Sequence, residues 1–541
     1  MEAQKNSSYQ IGLPLILCIG LAAGVLIGTS LTNKPGGESI NQDVQKFREV
    51  LGLIKNDYVD EAETNKLVEE AIEQMLGKLD PHSSYLSAQD RIAATEDLQG
   101  NFEGIGIEFN IFHDTLVVVT ALSGGPSESV GLMAGDKIVK VNDKVIASVG
   151  LTNRDVQKYL KGPKGTEVKI EVIRKSSTTP ITFTIIRDKI PQFSVDAAYM
   201  IDSEIGYIKV NRFSQTTYAE VKESLSKLKR QGMSKLILDL QGNPGGYLDQ
   251  AVNVADEFLS KGEKIVFTRG HENRYNEEHN ATERGDFEQG DLIVLVSEGS
   301  ASASEIVAGA LQDNDRALIV GRRSYGKGLV QRPFRLTDGS EVRLTISRYY
   351  TPSGRSIQKP YSNLNEYDKD IAKRYKNGEF FSADSIHFSD SLKFTTLNGR
   401  SVYGGGGIMP DYFVPLDTTQ HSAYFNELFA ANVLREYAFK YAEEHKTALR
   451  EKGYTDYLRN FEVTDVMLSR VVVMGIQNKI AAKPRDLQKN KQYFQLYLKA
   501  EIARNVWDNQ SFYPIINETN EVLQQAIKLF DRIPELSRSK M

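Results

Sequence analysis

The chain has 541 residues, enough at about 150 residues per domain for roughly three or four domains with separate hydrophobic cores. Its 66 lysines and arginines and 71 aspartates and glutamates leave a net charge of −5, which excludes a nucleic-acid binder that works through bulk positive charge. The one cysteine excludes an intramolecular disulfide, and the seven histidines form no pattern typical of a zinc site.

The first predicted element is an apolar segment near the N-terminus. Residues 11–31 form a run of 21 positions without a charge, close to the roughly 20 residues that cross a bilayer as a helix. We predict that residues 1–33 are a membrane anchor. The alternative is a signal peptide that is cleaved near Ser30. Both alternatives place the rest of the chain on the far side of the membrane.

Helical periodicity follows a linker at residues 34–41 that contains glycine and proline. From Asp43 to about Leu79, apolar residues recur at steps of three and four. The pattern predicts two amphipathic helices separated near residues 58–64, within a helical region at 40–95.

The next part of the chain is rich in β-strand patterns. Four such stretches lie at 104–109, 116–120, 137–141 and 168–173, with glycine-rich turns between them and one helical stretch at 152–160. We therefore predict a small domain dominated by β-strands.

Strands and helices alternate after Ile190-Pro191. The predicted strands are 205–210, 236–240 and 292–296, and the predicted helices are 218–231, 250–259 and 302–312. This alternation indicates an α/β core. Beyond about Thr418 the pattern is helical, with predicted helices at 421–452, 487–507 and 519–530 and a stop at Gly453. The expected fold class is a multidomain α/β protein with a helical C-terminal region.

A segment of small residues follows the strand at 292–296: Glu298-Gly299-Ser300-Ala301-Ser302-Ala303-Ser304-Glu305. A serine at the start of a helix can act as a nucleophile beside amide groups that stabilise an oxyanion. The alternative is structural, because Ser302 and Glu305 match a capping box in which the hydroxyl only satisfies backbone amides. The local pattern favours the capping interpretation, and it does not distinguish among Ser300, Ser302 and Ser304.

The segment Gly321-Arg322-Arg323-Ser324-Tyr325-Gly326-Lys327 fits the first seven positions of a phosphate-binding loop. Gly328 replaces the serine or threonine that would bind magnesium, and strand-like sequence follows where a helix is required. A nucleotide site is therefore disfavoured. A lysine held away from water has a lowered pKa and can accept a proton, so Lys327 could deprotonate Ser302. The alternative is a solvated structural lysine.

Two glycine-rich turns are further candidates for binding sites. After the strand at 236–240, the amide of Gly245 or Gly246 could donate to an oxyanion, since only glycine leaves a carbonyl room to approach. In the β-rich domain, Gly104-Ile105-Gly106-Ile107 offers backbone amides for a terminal carboxylate and an edge for strand addition. By spacing alone, a simple turn is the favoured interpretation of each.

In this order, the segments resemble the carboxyl-terminal processing proteases, serine peptidases that work outside the cytoplasm. The resemblance runs from about Asp43 to about Pro415, roughly two thirds of the chain. The motifs that carry it are Asp80-Pro81-His82-Ser83-Ser84-Tyr85-Leu86, Ala134-Gly135-Asp136, Gly162-Pro163-Lys164-Gly165-Thr166, residues 239–246, residues 299–305, Tyr325-Gly326-Lys327-Gly328, Val330-Gln331, Tyr350-Thr351-Pro352-Ser353-Gly354-Arg355 and residues 404–410.

The resemblance implies a role for each motif. It assigns the nucleophile, the base and the residue that orients the base to Ser302, Lys327 and Gln331. It implies an oxyanion hole and a peptide groove whose residues are Ala303 with Gly245 and Gly246 for the hole, and Gly104, Ile105, Gly106 and Ile107 with Val156 and Leu160 on the 152–160 helix for the groove. No metal or cofactor is implied.

The resemblance also divides the chain into domains. It implies a PDZ domain at 96–190 and a crotonase-like α/β peptidase core at 191–417. The helical region at 418–541 lies outside the matched motifs, and we expect it to pack against the core or to dock a partner. One departure stands in the core: Gln241 replaces the arginine that usually follows the Asp-Leu pair, which puts the local ion pairing in doubt.

The expected function is a serine endopeptidase of the bacterial cell envelope. It would be anchored in the inner membrane with its catalytic domain in the periplasm, or released there if the N-terminal segment is cleaved. Expected partners are proteins with free C-terminal tails, and a second copy of the chain or a regulatory lipoprotein are further candidates. The alternative is an inert PDZ scaffold tethered to the membrane, in which Ser302 only caps its helix.

Overall fold

The computed structural model describes residues 37–122, 124–283, 285–418 and 422–533. The predicted membrane segment, residues 11–31, lies outside these ranges. Every helix within them is too short or too polar to span a bilayer. The chain separates into two compact units between Lys78 and Leu79.

The first unit contains the two predicted amphipathic helices, α1 (Gly37–Asp57) and α2 (Thr64–Leu76). They are separated close to the predicted break. The linker prediction at 34–41 is wrong from Gly37 onward, because α1 begins there and extends through polar residues that no apolar periodicity marks.

The second unit opens with elements that precede the β-rich domain, β1 (Ser84–Leu86) and α3 (Ala88–Gln99). The β-rich domain then comprises β2 (Asn101–Gly104), β3 (Ile107–Phe112), β4 (Thr115–Ala121), α4 (Pro126–Ser129), β5 (Lys137–Val141), β6 (Lys144–Val145), α5 (Asn153–Leu160), β7 (Glu167–Ile173), β8 (Ile181–Ile186) and β9 (Asp188–Pro191). Its sheet has the order β3-β4-β5-β7-β8, with β6 on β5, so β3 lies at an edge. Strands β2 and β9, the first and last of the domain, pair antiparallel. The chain therefore enters and leaves the domain side by side, as in an inserted domain.

The α/β core follows in the predicted alternation. Its elements are β10 (Val195–Met200), β11 (Ile205–Val210), α6 (Thr217–Arg230), β12 (Lys235–Asp239), α7 (Leu248–Asp256), β13 (Lys264–Gly270), β14 (Glu278–Asn280), β15 (Asp291–Val296), α8 (Ala303–Asp313), β16 (Leu318–Gly321), β17 (Leu329–Arg335), β18 (Glu341–Tyr350), α9 (Leu364–Asp368), α10 (Asp370–Lys376), β19 (Lys393–Thr395), β20 (Ser401–Tyr403) and β21 (Tyr412–Phe413).

The main sheet of the core has the order β10-β11-β12-β15-β16-β21 and is parallel except for the pair β10 and β11. Its central strands are apolar at consecutive positions because both faces are buried: residues 236–238 and 293–295 are 0 % exposed. Helices α6, α7 and α8 cover one face.

A second sheet lies beside the main one, in the order β1-β18-β13-β14 with β17 also on β18. Strand β1 comes from the segment before the β-rich insertion, although the sequence predicts a helical region at 40–95. The strand pairs antiparallel with the first residues of β18. The part of the chain that precedes the insertion therefore contributes to the α/β core.

The C-terminal region is helical, as expected. Its helices are α11 (Ala423–Ala430), α12 (Val433–Lys452), α13 (Tyr454–Asn460), α14 (Asp465–Gln477), α15 (Pro484–Lys489), α16 (Lys491–Val506), α17 (Tyr513–Ile516) and α18 (Glu521–Leu529). The prediction of one continuous helix at 421–452 is wrong, because Asn432 adopts a left-handed conformation (φ +57°) that interrupts it. The predicted stop at Gly453 is confirmed by its φ of +85°.

The helical region joins the other two domains. Residues of α18, including Leu523 and Ala526, pack against Ile237 and Ile293 on the second face of the main sheet. Phe439 of α12 packs against Phe112 and Val117 of the β-rich domain. The helices between α11 and α16 share a hydrophobic core of their own.

Candidate active site

Ser302 occupies the turn between β15 and α8 in a conformation that side chains rarely adopt. Its φ and ψ are +55° and −112°, and strain of this kind is typical of functional positions. Ser300 and Ser304 differ from it: both are 0 % exposed, and their hydroxyls donate to the carbonyls of Leu240 at 2.7 Å and Asn243 at 2.9 Å. Only Ser302 of the three lines a cleft, so the fold separates serines that the local pattern could not.

That cleft has a volume of about 540 Å³ and brings the predicted residues together. Ser302, Lys327, Gln331, Gly245 and Gly246 all line it. Apolar side chains form much of its wall: Leu98, Leu248, Ile306, Leu329 and Val330.

The buried carboxylate of Glu305 links the segments that carry Ser302 and Lys327. Oε2 accepts the backbone N–H of Ser302 at 2.8 Å and that of Lys327 at 2.9 Å. Oε1 accepts the Ser324 hydroxyl at 2.5 Å and the Gly326 N–H at 2.7 Å. Burial raises the pKa of Glu305, and these four hydrogen bonds oppose the rise. Ser302 and Glu305 form the capping box that the sequence suggests. The carboxylate of Glu305 has a second role, because it also holds the loop that carries Lys327.

Tyr349 connects the same two residues from the other side. Its hydroxyl lies 3.1 Å from the carbonyl oxygen of Ser302 and 2.5 Å from that of Lys327. Tyr349 is 1 % exposed. The two backbones are thus held at both their N–H and their C=O groups.

Lys327 is a largely buried amine that faces the cleft. Burial lowers its pKa, while Glu305 and Asp80 oppose the shift and Arg343 adds to it. The Lys327 Nζ makes no hydrogen bond or ion pair with the residues that the structure describes. Strand β17 begins two residues later, at Leu329, so the loop lacks the following helix that a phosphate-binding loop requires.

The glycine turn after β12 lies directly against Ser302. A Cβ on Gly245 would lie 2.7 Å from the carbonyl oxygen of Ala301 and 2.8 Å from the Cβ of Ser302, so no side chain fits. The Gly245 N–H donates to Asn243 Oδ1 at 2.9 Å. The N–H groups of Gly246 and Ala303 have no acceptor within the described ranges. These two amides are therefore available to an oxyanion, whereas that of Gly245 is engaged.

The missing arginine at Gln241 is compensated by Lys209. Its ammonium lies 3.0 Å from Asp239 Oδ1 and 2.6 Å from the carbonyl oxygen of Gln241. Asp239 also accepts the hydroxyl of Tyr207 at 2.6 Å. A lysine on β11 thus provides the positive charge that Gln241 lacks.

Sequence reasoning gave no chemical role to the loop at 80–83, which the structure brings to the cleft. His82 lines the cleft, and its Nε2 lies 2.7 Å from the hydroxyl of Tyr367. Burial, with Lys327 as a further cause, lowers the pKa of His82 to about 4. The ring is therefore neutral at ordinary pH. Nothing in the local pattern pairs this loop with β18, some 260 residues later.

The predicted peptide groove lies at the edge strand β3. The N–H groups of Ile105 and Gly106 have no acceptor among the described residues, whereas the Ile105 carbonyl accepts the hydroxyl and N–H of Ser127. The predicted groove residues Val156 and Leu160 are 1 % and 5 % exposed and belong to the core of the β-rich domain with Ile105. Backbone groups, more than these side chains, are therefore what the groove exposes.

Profiles of known protein families match four parts of the chain. The profile of peptidase family S41 matches residues 204–366, and that of the PDZ domain matches residues 117–174. The profile named for the N-terminal domain of the activating protease CtpB matches residues 28–90. Residues 424–508 match a family of unknown function.

Curated relatives extend the match along most of their length. The carboxy-terminal-processing protease of Bartonella bacilliformis is 38 % identical over 356 residues, which cover 63 % of this chain and 80 % of that protein. The carboxy-terminal processing protease CtpA of Bacillus subtilis is 30 % identical over 392 residues, covering 70 % and 82 %. Among solved structures, the photosystem II D1 C-terminal processing protease is 29 % identical, with a TM-score of 0.32 and coverage of 57 % of this chain and 88 % of that one.

The family profiles cover a PDZ domain and the part of the core that holds Ser302 and Lys327. The chain belongs to the carboxy-terminal processing proteases of peptidase family S41, and it is a serine protease with a PDZ domain.

Proposed function

We propose that this protease cuts peptide bonds with a serine–lysine dyad of Ser302 and Lys327, in which Gln331 orients the lysine. The observation that carries the proposal is the shared contact with Glu305, which accepts the N–H groups of both residues at 2.8 and 2.9 Å. Two segments that are distant in sequence are thereby held at one cleft with an apolar wall.

The chemistry is acyl transfer to the serine. Neutral Lys327 takes the proton of the Ser302 hydroxyl while the oxygen attacks the scissile carbonyl. The resulting oxyanion accepts hydrogen bonds from the N–H groups of Ala303 and Gly246, which have no other acceptor in the described chain. Lys327 then protonates the leaving amine, and water hydrolyses the acyl-enzyme.

The PDZ domain would select substrates by their free C-terminal tails. The open N–H groups of Ile105 and Gly106 suit a terminal carboxylate, and the free edge of β3 suits the residues before it by strand addition. Unstructured tails fit this mode because an extended peptide must align with the strand.

The N-terminal segment would hold the enzyme at the membrane, with the catalytic domain on the side opposite the cytoplasm and with extracytoplasmic proteins as substrates. The run of 21 uncharged residues supports this assignment. Protease added to intact spheroplasts should release a soluble, active fragment. Protection of the whole chain until the inner membrane is broken would reverse the topology.

Cleavage of an unstructured peptide tests the dyad. Ser302→Ala and Lys327→Ala should each abolish cleavage and leave thermal unfolding nearly unchanged. Ser304→Ala, two residues further along the chain, is the matched control and should remain active. Full activity of Ser302→Ala would refute the nucleophile and favour the inert scaffold in which this serine only caps α8.

A further inference from the structure

We propose that Thr345 and Asp80 are positioning residues for the general base, because they fix which end of the Gln331 amide faces Lys327. This inference rests on the proposed dyad and extends it to a loop from the segment before the PDZ insertion. It assigns a task to the Asp-Pro-His-Ser-Ser loop that the sequence left unexplained.

The first step is the register of two strands. Gln331 on β17 lies directly opposite Thr345 on β18, just after a shift in the register that leaves Ile346 of β18 between the paired residues. Side chains of such cross-strand partners point to the same face. The Gln331 Nε2 donates to the Thr345 Oγ1 at 3.2 Å.

The second step is the direction of the hydrogen bonds. Thr345 Oγ1 lies 3.0 Å from Asp80 Oδ1. A carboxylate only accepts hydrogen bonds, so the single hydroxyl proton of Thr345 is committed to Asp80. The hydroxyl can then only accept from Gln331, and the end of the amide that faces it must be the NH₂ group. Its carbonyl oxygen is the end that remains for the cleft.

The third step is that Asp80 is itself held in place as an acceptor. Oδ1 accepts the N–H groups of His82 and Ser83, each at 2.8 Å, and Oδ2 accepts the Ser83 hydroxyl at 2.6 Å. The Ser83 hydroxyl in turn accepts the Thr345 N–H at 3.1 Å. Burial acts to raise the pKa of Asp80, but these hydrogen bonds outweigh it and lower the pKa, so the group is ionised.

The consequence concerns Lys327, which lines the same cleft as Gln331. The Lys327 Nζ makes no hydrogen bond with the described residues, so its contact with the Gln331 carbonyl oxygen is part of the proposal. That oxygen would accept an N–H of the lysine and leave the lone pair of the neutral amine free for the Ser302 proton. An amide turned the other way would present N–H groups, which compete for that lone pair and disfavour the ammonium form. The loop at 80–83 therefore orients the base through two intervening side chains.

The test compares Thr345→Val, which replaces the hydroxyl with a methyl group of similar size, with Thr345→Ser, which keeps the hydroxyl. For Thr345→Val we expect a plateau kcat 10- to 100-fold lower with little change in KM, and an ascending limb of the pH–rate profile that moves to lower pH. Thr345→Ser should remain within threefold of the wild type with its limb unmoved. Thr268→Val is the matched control, since Thr268 is a buried threonine of the neighbouring strand β13 whose hydroxyl bonds only within its own turn.

A second measurement separates a role through Gln331 from a general effect of the Thr345 substitution. In a Gln331→Met background, Thr345→Val should cause no further loss of kcat, because there is no amide left to orient. A limb that stays in place in Thr345→Val, or losses that multiply in the double variant, would overturn the proposal and reduce Thr345 to a structural role. Activity in Ser302→Ala or Lys327→Met would instead refute the dyad, so the two failures are distinguishable.

Discussion

The backbone N–H of Lys327 donates to the carboxylate of Glu305 at 2.9 Å across 22 residues of sequence. The same carboxylate oxygen accepts the N–H of Ser302. Glu305 is 0 % exposed, so this contact is protected from water and fixes the lysine loop against the start of α8. The geometry of the proposed dyad depends on this one buried acid.

Glu305→Gln should therefore impair catalysis as well as stability. A glutamine places an NH₂ group where two N–H donors converge, so at least one donor loses its acceptor at a cost of about 1–3 kcal/mol. We expect kcat to fall at least tenfold, measured on an unstructured peptide beside a denaturant titration. Glu257→Gln is the control, because Glu257 is equally buried and accepts hydrogen bonds outside the cleft. Equal kcat values in Glu305→Gln and Glu257→Gln would show that Glu305 has no specific role in holding the proposed dyad.

The rate should rise with pH to a plateau whose midpoint is set by Lys327. Burial lowers the pKa of this lysine below its ordinary value of 10.5, and only the neutral amine can accept the serine proton. Lys327→Arg should be inactive, since arginine stays charged at any working pH. A bell-shaped profile with a His82 limb near pH 6.5 would contradict the account, because the pKa of His82 is lowered to about 4.

Lys327→Met should be inactive but no less stable than the wild type. The folded-state pKa lies below the unfolded value, so the folded state disfavours the charged lysine at low pH. That penalty is lost only as pH rises from the folded pKa towards 10.5. At pH 7, replacing the charge with an apolar side chain removes the penalty, and thermal unfolding should occur at an equal or higher temperature. A clear loss of stability would show that the ammonium has a stabilising partner.

Lys209→Met should destabilise the core by about 3 kcal/mol, because it leaves the buried carboxylate of Asp239 without its cation. Gln241→Arg should restore part of that loss, since the Gln241 Nε2 lies 3.2 Å from Asp239 Oδ2 and an arginine there can reach the same carboxylate. Denaturant titrations of the single and double variants measure both effects. If Gln241→Arg changes the free energy of unfolding by the same amount with and without Lys209, then Lys209 does not replace the missing arginine.

Cleavage should depend on a free C-terminus of the substrate. Amidation removes the charge that the N–H groups of Ile105 and Gly106 would bind, so we expect a several-fold higher KM for the amidated peptide. The comparison uses two peptides of one sequence that differ only at the terminus. Equal KM and kcat values would show that the PDZ groove does not select tails.

Local patterns were enough to predict the elements that carry Ser302, Lys327 and the glycine turn. Apolar runs such as 236–240 and 292–296 predicted the central strands because these strands are buried on both faces. The C-terminal helices were predicted less well. Asn432 interrupts a helical pattern with a left-handed residue, and the periodicity of the flanking helices does not reveal such a break.

Long-range contacts explain what the sequence could not predict. Local physics did not distinguish Ser302 from Ser300 and Ser304, because the carbonyls that engage the other two hydroxyls come from a loop some 60 residues earlier. The replacement of the expected arginine by Lys209 required the parallel pairing of β11 with β12. The resemblance to a family supplied the proposed assignment of Ser302, and the structure shows that Ser302 is the one of these three serines that lines the cleft.

The most direct test of the dyad is to label the enzyme with a serine-reactive fluorophosphonate and to locate the adduct by mass spectrometry. We predict one adduct, on Ser302, whose formation rate rises with pH along the same limb as peptide cleavage and is lost in Lys327→Met. Labelling of another serine, or equal labelling of Ser302 in Lys327→Met, would contradict the claim that Lys327 activates Ser302.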